Sequence, residues 1–249
     1  MLPNHAPLVV AEQFGTLENL YPGRIDLGLG RAPGTDGITA RALRRNLQWE
    51  TDFGEQVEEL QSYFAEPAPD QRIKAIPGYG LSIPIWILGS SLYSAELAAR
   101  MGFPYAFAGH FAPEQMLEAV SLYRARFTPS ATHSKPRVMI GIQAIAADTD
   151  AEAEQLATTL YQRFLNLIRN QRMSLKPPVP SMDGLWSEPE KAALFSKLRY
   201  AAIGGPDKVR QKLEQVIEVT GADELILNSE PYDPKARLRS FEIIRGLLP

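Results

Sequence analysis

"IPIWILGSSLYSAELAARMGFPYAFAG", Ile83 to Gly109, holds two apolar runs on either side of a segment with helical periodicity. The first run, Ile83 to Gly89, is rich in β-branched and aromatic residues and reads as a buried strand. Ser90 and Ser91 supply hydroxyls where a helix begins, and Ala95 to Met101 continues it. Gly102 closes that helix, and Pro104 to Gly109 is a second short buried strand. Strand, helix and strand in direct succession predict parallel pairing with a right-handed crossover.

The alternation continues in both directions. Toward the amino terminus, Pro3 and Pro7 bracket a loop. From Leu8 to Leu20 the spacing of Val9, Ala11, Phe14, Leu17 and Leu20 predicts a helix that Tyr21-Pro22-Gly23 ends. Arg24 to Gly30 reads as a strand with small residues where neighbours approach closely. Thr39 to Phe64 is mostly helical, with Val57, Leu60 and Phe64 along one face, before Pro67, Pro69 and Pro77 break the chain.

Toward the carboxyl terminus, Pro113 to Phe127 reads as a helix, Val138 to Ala147 as a long apolar strand, and Thr149 to Arg172 as a helix. That helix is acidic early and basic late, as the macrodipole favours. Residues 172–187 carry Pro177, Pro178 and Pro180 and read as an inserted loop or lid. Helix resumes through Lys197 and again from Pro206 to Val219, a strand follows at Glu224 to Asn228, and Pro234 to Leu248 is the last helix. Five strands alternating with helices suit a (β/α)8 TIM barrel or a doubly wound sheet. No composition shift divides the chain, so one domain over residues 1–249 is expected.

With 26 Lys and Arg against 29 Asp and Glu, the net charge of −3 lacks the basic excess of a nucleic-acid binder. The basic cluster Arg41-Ala-Leu-Arg44-Arg45 reads as a solvated helix face. Cysteine is absent, which excludes disulfides, thiolate nucleophiles and cysteine-bound metals. No signal-peptide pattern opens the sequence and no apolar run approaches a membrane span, so a cytoplasmic protein without membrane partners is expected.

Ligands of parallel α/β proteins sit at the carboxyl ends of strands. Arg31 follows Gly30 directly, and a guanidinium there can make paired hydrogen bonds to a phosphate. The plainer alternative is an ion pair that pins the loop to Asp36. Gly89-Ser90-Ser91-Leu92-Tyr93-Ser94 ends a strand and starts a helix, which combines free amides, hydroxyls and a helix dipole. Plain capping by Ser90 or Ser91 explains the same residues equally well. Gly28, Gly30 and Gly34 have the wrong last spacing for a dinucleotide fingerprint, with Pro33 in between.

Of the three histidines, His110 ends a strand and is the candidate proton carrier, with a loop hydrogen bond as the alternative. His5 lies in the proline-bounded start and is a possible pocket residue, and His133 is expected to be exposed. No pair has metal-ligand spacing, no HExxH is present, and the serine-hydrolase elbow is absent, so no metal site is expected. Glu12 is a charge on an otherwise apolar helix and marks either solvent or a subunit contact.

"LPNHAPLVVAEQFGTLENLYPGRIDLGLGRAPGTD" and "IPIWILGSSLYSAELAARMGFPYAFAGHFAP" resemble two consecutive blocks of the bacterial luciferase-like flavin monooxygenases, and the similarity extends through "GADELILNSE". The resemblance implies a (β/α)8 barrel, usually dimeric, that binds FMN reduced by a separate flavin reductase. With that flavin and dioxygen it oxidises a small organic substrate. It places the phosphate-binding arginine on Arg31 and the hydroxyl-bearing turn on Ser90, with Ser91 and Tyr93 beside it. Flavin-lining residues fall at Gly109 and His110, and the homodimer contact on the helix carrying Glu12. The same resemblance leads us to expect the first three strands to be missing and the isolated chain to be weakly active. A deazaflavin-dependent reductase, or a non-catalytic flavin-binding or partner subunit, remains the alternative.

Overall fold

The computed structural model describes residues 1–32, 37–43, 52–171 and 173–247. They group into two compact units, each considered by itself. One comprises Met1–Gly89, Tyr93–Ala106 and Tyr123–Pro136; the other comprises Ser90–Leu92, Phe107–Leu122 and Arg137–Pro249.

In the first unit, a 3-10 turn at Leu2–Asn4 precedes helix α1 (Pro7–Leu20), with Pro7 in its first turn where no amide partner is lost. Gly15 of α1 lies against backbone: a Cβ added there would come 2.4 Å from the Cα of Gly78. Strand β1 (Leu27–Gly30) and strand β2 (Ile85–Gly89) pair in parallel, in the register Leu27↔Ile85 to Gly30↔Leu88. Helices α2 (Gly37–Ala42) and α3 (Phe53–Phe64) lie between them in sequence. Asp52 caps α3 by accepting from the Gly54 amide, and Val57, Leu60 and Phe64 are buried as their spacing predicts.

Helix α4 (Leu92–Met101) leads to strand β3 (Tyr105–Phe107), whose start lies beside β2 through the Ile87 N–H donating to Pro104 O at 2.9 Å. Tyr105 and Tyr123 are fully buried with ring centroids 5.4 Å apart, and the Tyr123 hydroxyl donates to Phe103 O. At roughly 150–250 Å² per ring and about 25 cal/mol per Å², each tyrosine contributes about 4–6 kcal/mol as an upper bound.

The second unit is built on strand β4 (Val138–Ala146), buried along nearly all of its length. It pairs in parallel with β5 (Ala202–Gly204) and with β6 (Glu224–Asn228). Helix α5 (Met116–Arg126) precedes β4; α6 (Asp150–Ile168), α7 (Glu188–Lys197), α8 (Pro206–Thr220) and α9 (Pro234–Leu247) follow. Thr149 caps α6, a Ser187–Glu190 capping box opens α7, and Gly221 ends α8 in the left-handed region at φ 58°. Ile145, Leu160, Phe164 and Leu194 form the core between β4, α6 and α7.

Several boundaries move from their expected positions. The strand expected at 24–30 begins only at Leu27, and the strand expected at 83–89 begins at Ile85, after Pro84, which has no N–H to offer a ladder. The strand expected at 104–109 is the three residues of β3, and the helix expected from Pro113 begins at Met116. Leu2–Asn4 forms a 3-10 turn where a loop was expected. The mostly helical stretch expected over 39–64 holds α2 and α3, with residues 44–51, including Arg44 and Arg45, outside the described residues. The described residues hold six strands rather than five; β5 is three residues long, too short to show a period of two.

Candidate functional site

Gly30, the last residue of β1, pairs with Leu88 of β2. The connection after β1 begins with Arg31. Its guanidinium carbon sits 4.1 Å from the ring centroid of Tyr93, in the first turn of α4, close enough for a cation–π contact. A guanidinium carries five N–H donors, more than a contact with one tyrosine can engage. The Tyr93 hydroxyl donates to Asp52 Oδ1 at 3.2 Å, the same atom that caps α3. Burial, reinforced by the Asp52 carboxylate, raises the Tyr93 phenol, and the Arg31 charge opposes the rise. The proposed partner Asp36, with Pro33 and Gly34, lies outside the described residues.

Gly89, the last residue of β2, is there because nothing larger fits. A Cβ at that position would lie 2.0 Å from Ser94 Oγ and 2.3 Å from Ser94 Cβ. Ser94 is buried and shares a 3.1 Å hydrogen bond with the hydroxyl of Tyr105, whose phenol burial pushes up to about 12. Ser90 and Ser91, both half-buried, form the bend that connects Gly89 to α4.

The second unit holds its own polar cluster, at the carboxyl ends of β3 and β6. Gly109 is buried, and a Cβ there would be 2.9 Å from both Gly141 O and Met116 Sδ. The His110 ring lies over Gly141 of β4, its Nδ1 2.8 Å from where a Cβ would stand. Gln143 of β4 donates to His110 O at 3.3 Å and accepts from Asn228 Nδ2 at 3.1 Å. Asn228 also donates to Glu230 Oε1 at 2.7 Å, and Glu230 pairs with Arg163 of α6. The other Glu230 oxygen, Oε2, is buried without a hydrogen-bond partner among the described residues. Desolvation and the Arg163 charge hold the His110 imidazole below its usual range, and Glu230 partly offsets them. A neutral imidazole beside a carboxylate can accept or pass a proton.

Of the other singled-out residues, His5 is exposed, ending the 3-10 turn. His133 is half-buried rather than exposed, because its ring meets Thr132 Oγ1 at 2.9 Å and its amide donates to Ser130 Oγ. Glu12 is half-buried on α1, where Val9, Leu17 and Leu20 are exposed. Residues 173–187 of the expected lid are irregular, and hydrogen bonds fasten them to α6; Arg172 lies outside the described residues. Among the described residues no group of three metal-ligating side chains occurs, and no helix is long and apolar enough to cross a membrane.

The sequence reading missed Asp52, Gln143, Arg163, Asn228 and Glu230. Gln143 carried a signal, as the polar residue in the apolar run Val138 to Ala147. Asn228 and Glu230 carried a weaker one, lying where a strand ends.

Residues 1–224 match the family model for luciferase-like monooxygenases. The chain belongs to the luciferase-like monooxygenase family. A luciferase-like monooxygenase of Escherichia coli K12 is 49% identical over 244 residues, covering 98% of this chain and 73% of that protein. The Bacillus subtilis protein YvbT is 55% identical over 246 residues, with the same coverage of each. The crystal structure of apo-MsnO8 superposes with a TM-score of 0.89 at 35% identity, covering 99% of this chain and 75% of that one. The architecture is therefore the luciferase-like α/β barrel type, and the protein is an oxidoreductase of the monooxygenase class.

More distant structures share the fold alone. One is a type II Baeyer–Villiger monooxygenase from Pseudomonas putida in complex with FMN, at 18% identity and TM-score 0.61, covering 98% of this chain and 75% of that one. The other is an F420-dependent secondary alcohol dehydrogenase, at 13% identity and TM-score 0.63.

Proposed function

We propose that this protein uses reduced FMN, supplied by a separate flavin reductase, and dioxygen to oxidise a small organic substrate. The observation that carries the reading is the Arg31–Tyr93 stack at the carboxyl end of β1. It presents a cation directly after a strand, packed against an aromatic ring. An arginine held in that way suits a phosphate monoester, which accepts two parallel N–H bonds.

When bound, the flavin supplies the oxygen chemistry. The chain's own residues hold the phosphate, exclude water and manage protons. Arg31 does the first, with Tyr93 beside the guanidinium. Gly109 leaves room beside β4, and His110, kept neutral by burial, is the proton carrier in this reading. The exposed Val9, Leu17 and Leu20 beside Glu12 support a homodimer through α1. Leu17→Glu is expected to halve the particle mass in sedimentation, and an unchanged mass rejects that interface.

Equilibrium titration with FMN and, separately, with F420 tests the cofactor. Arg31→Ala is expected to weaken FMN binding about tenfold or more, from about 1.5–3 kcal/mol for hydrogen bonds to a charged group. Unchanged affinity rejects the role of Arg31, and preference for F420 rejects FMN.

A further inference from the structure

A cavity of about 380 Å³ lies between α6 and the strap 173–176, within the size range of small-molecule sites, roughly 300–1,000 Å³. The strap is not loosely laid over the helix. Thr159 Oγ1 donates to Lys176 O at 3.0 Å and Gln162 Nε2 donates to Pro177 O at 2.9 Å. Thr158 Oγ1 accepts from the Val179 amide at 2.9 Å. These bonds anchor the strap at its Lys176 end.

Its lining has two characters. Leu167, Met173 and Leu175 give an apolar wall that is open to solvent. Arg163, Asn166 and Lys176 give a polar wall whose charges are both positive, and among the described residues no lining side chain is acidic. Arg163 already pairs with Glu230 outside the lining, but a guanidinium carries five N–H donors in a fixed fork and one carboxylate oxygen engages only part of it. Lys176 adds a cation on a flexible stem.

We infer that this cavity binds an organic monoanion with a short aliphatic chain, its carboxylate between Arg163 and Lys176 and its chain on Leu167, Met173 and Leu175. The inference rests on the proposed oxidation reaction only in calling this anion the substrate class. Arg163 couples electrostatically to His110, so the anion's headgroup is read by the same cation that bears on the proton carrier.

The test needs no cofactor. Calorimetric titration of the purified protein with octanoate, 1-octanol and octylamine at low ionic strength compares one chain length with three headgroups. Octanoate is expected to bind saturably at one site per chain, and about tenfold or more tightly than either other compound. Lys176→Met is expected to weaken octanoate about three- to tenfold, and Lys176→Arg to retain it. Asn166→Leu is expected to weaken octanoate and spare octanol. Arg31→Ala, outside this cavity, is expected to leave octanoate affinity unchanged. Absence of saturable octanoate binding, equal binding of octylamine, or indifference to Lys176→Met overturns the site. Octanoate binding without FMN binding overturns the cofactor reading and leaves the anion site standing; the reverse result does the opposite.

Discussion

Gly89→Ala probes the point where the sheet meets the candidate phosphate turn. The added methyl would stand 2.0 Å from Ser94 Oγ and 2.3 Å from its Cβ, distances that no rotamer of alanine can relieve. Rotating Ser94 moves its Oγ but not its Cβ, so α4 must shift, and the bond of Ser94 to Tyr105 is disturbed with it. Overpacking of this kind costs about 1–3 kcal/mol, and a buried hydrogen bond adds about 1 kcal/mol. The expected loss is about 2–4 kcal/mol, a large part of the roughly 5–15 kcal/mol that holds a domain folded. Ser94→Gly removes both clashing atoms, and the next atom, Ser94 Cα, is 3.8 Å from the new methyl, an ordinary contact. By itself Ser94→Gly should cost about 1–2 kcal/mol, from the lost hydrogen bond and a glycine in a helix. The double variant should then cost no more than about 1–2 kcal/mol, well short of the sum of the singles. Urea denaturation followed by far-ultraviolet circular dichroism measures all three. Additive losses, or a neutral Gly89→Ala, refute the packing argument.

Two further outcomes follow from the second unit. Thr158→Val removes the acceptor of the Val179 amide, and hydrogen exchange at Val179 should quicken about five- to tenfold while the Leu185 amide, bonded to Met182 O, keeps its rate. Because the folded state holds His110 below the unfolded value of about 6.5, its contribution to stability is present above that pH and is lost as pH falls through the folded value. An NMR titration should place the His110 midpoint below the value of about 6.5 for an unperturbed histidine. Glu230→Gln, which removes the one influence raising it, should lower the midpoint further, and a rise would contradict the assigned electrostatics.

The alternation of strand and helix was legible because it depends on composition over several residues, as in Ile85 to Gly89 or Val138 to Ala146. β5 was not, since Ala202-Ile203-Gly204 becomes a strand only through its ladder with Ala144 to Ala146. Arg31 and His110 could be picked out because each follows a strand. Their partners could not: Asp52 is 41 residues from Tyr93, and Glu230 is 67 from Arg163, so only the folded chain brings them together. Gln143 was overlooked because its polar side chain sits in an apolar run, and burial with His110 O and Asn228 explains why it is tolerated there.

The stack of Arg31 on Tyr93 does not end at the ring. Through the Tyr93 hydroxyl it reaches Asp52, and through Asp52 the first amides of α3. A guest that tugs the guanidinium off the ring therefore loosens a helix cap 21 residues further along the chain, so the Gly54 amide becomes a built-in gauge of whether the arginine is engaged.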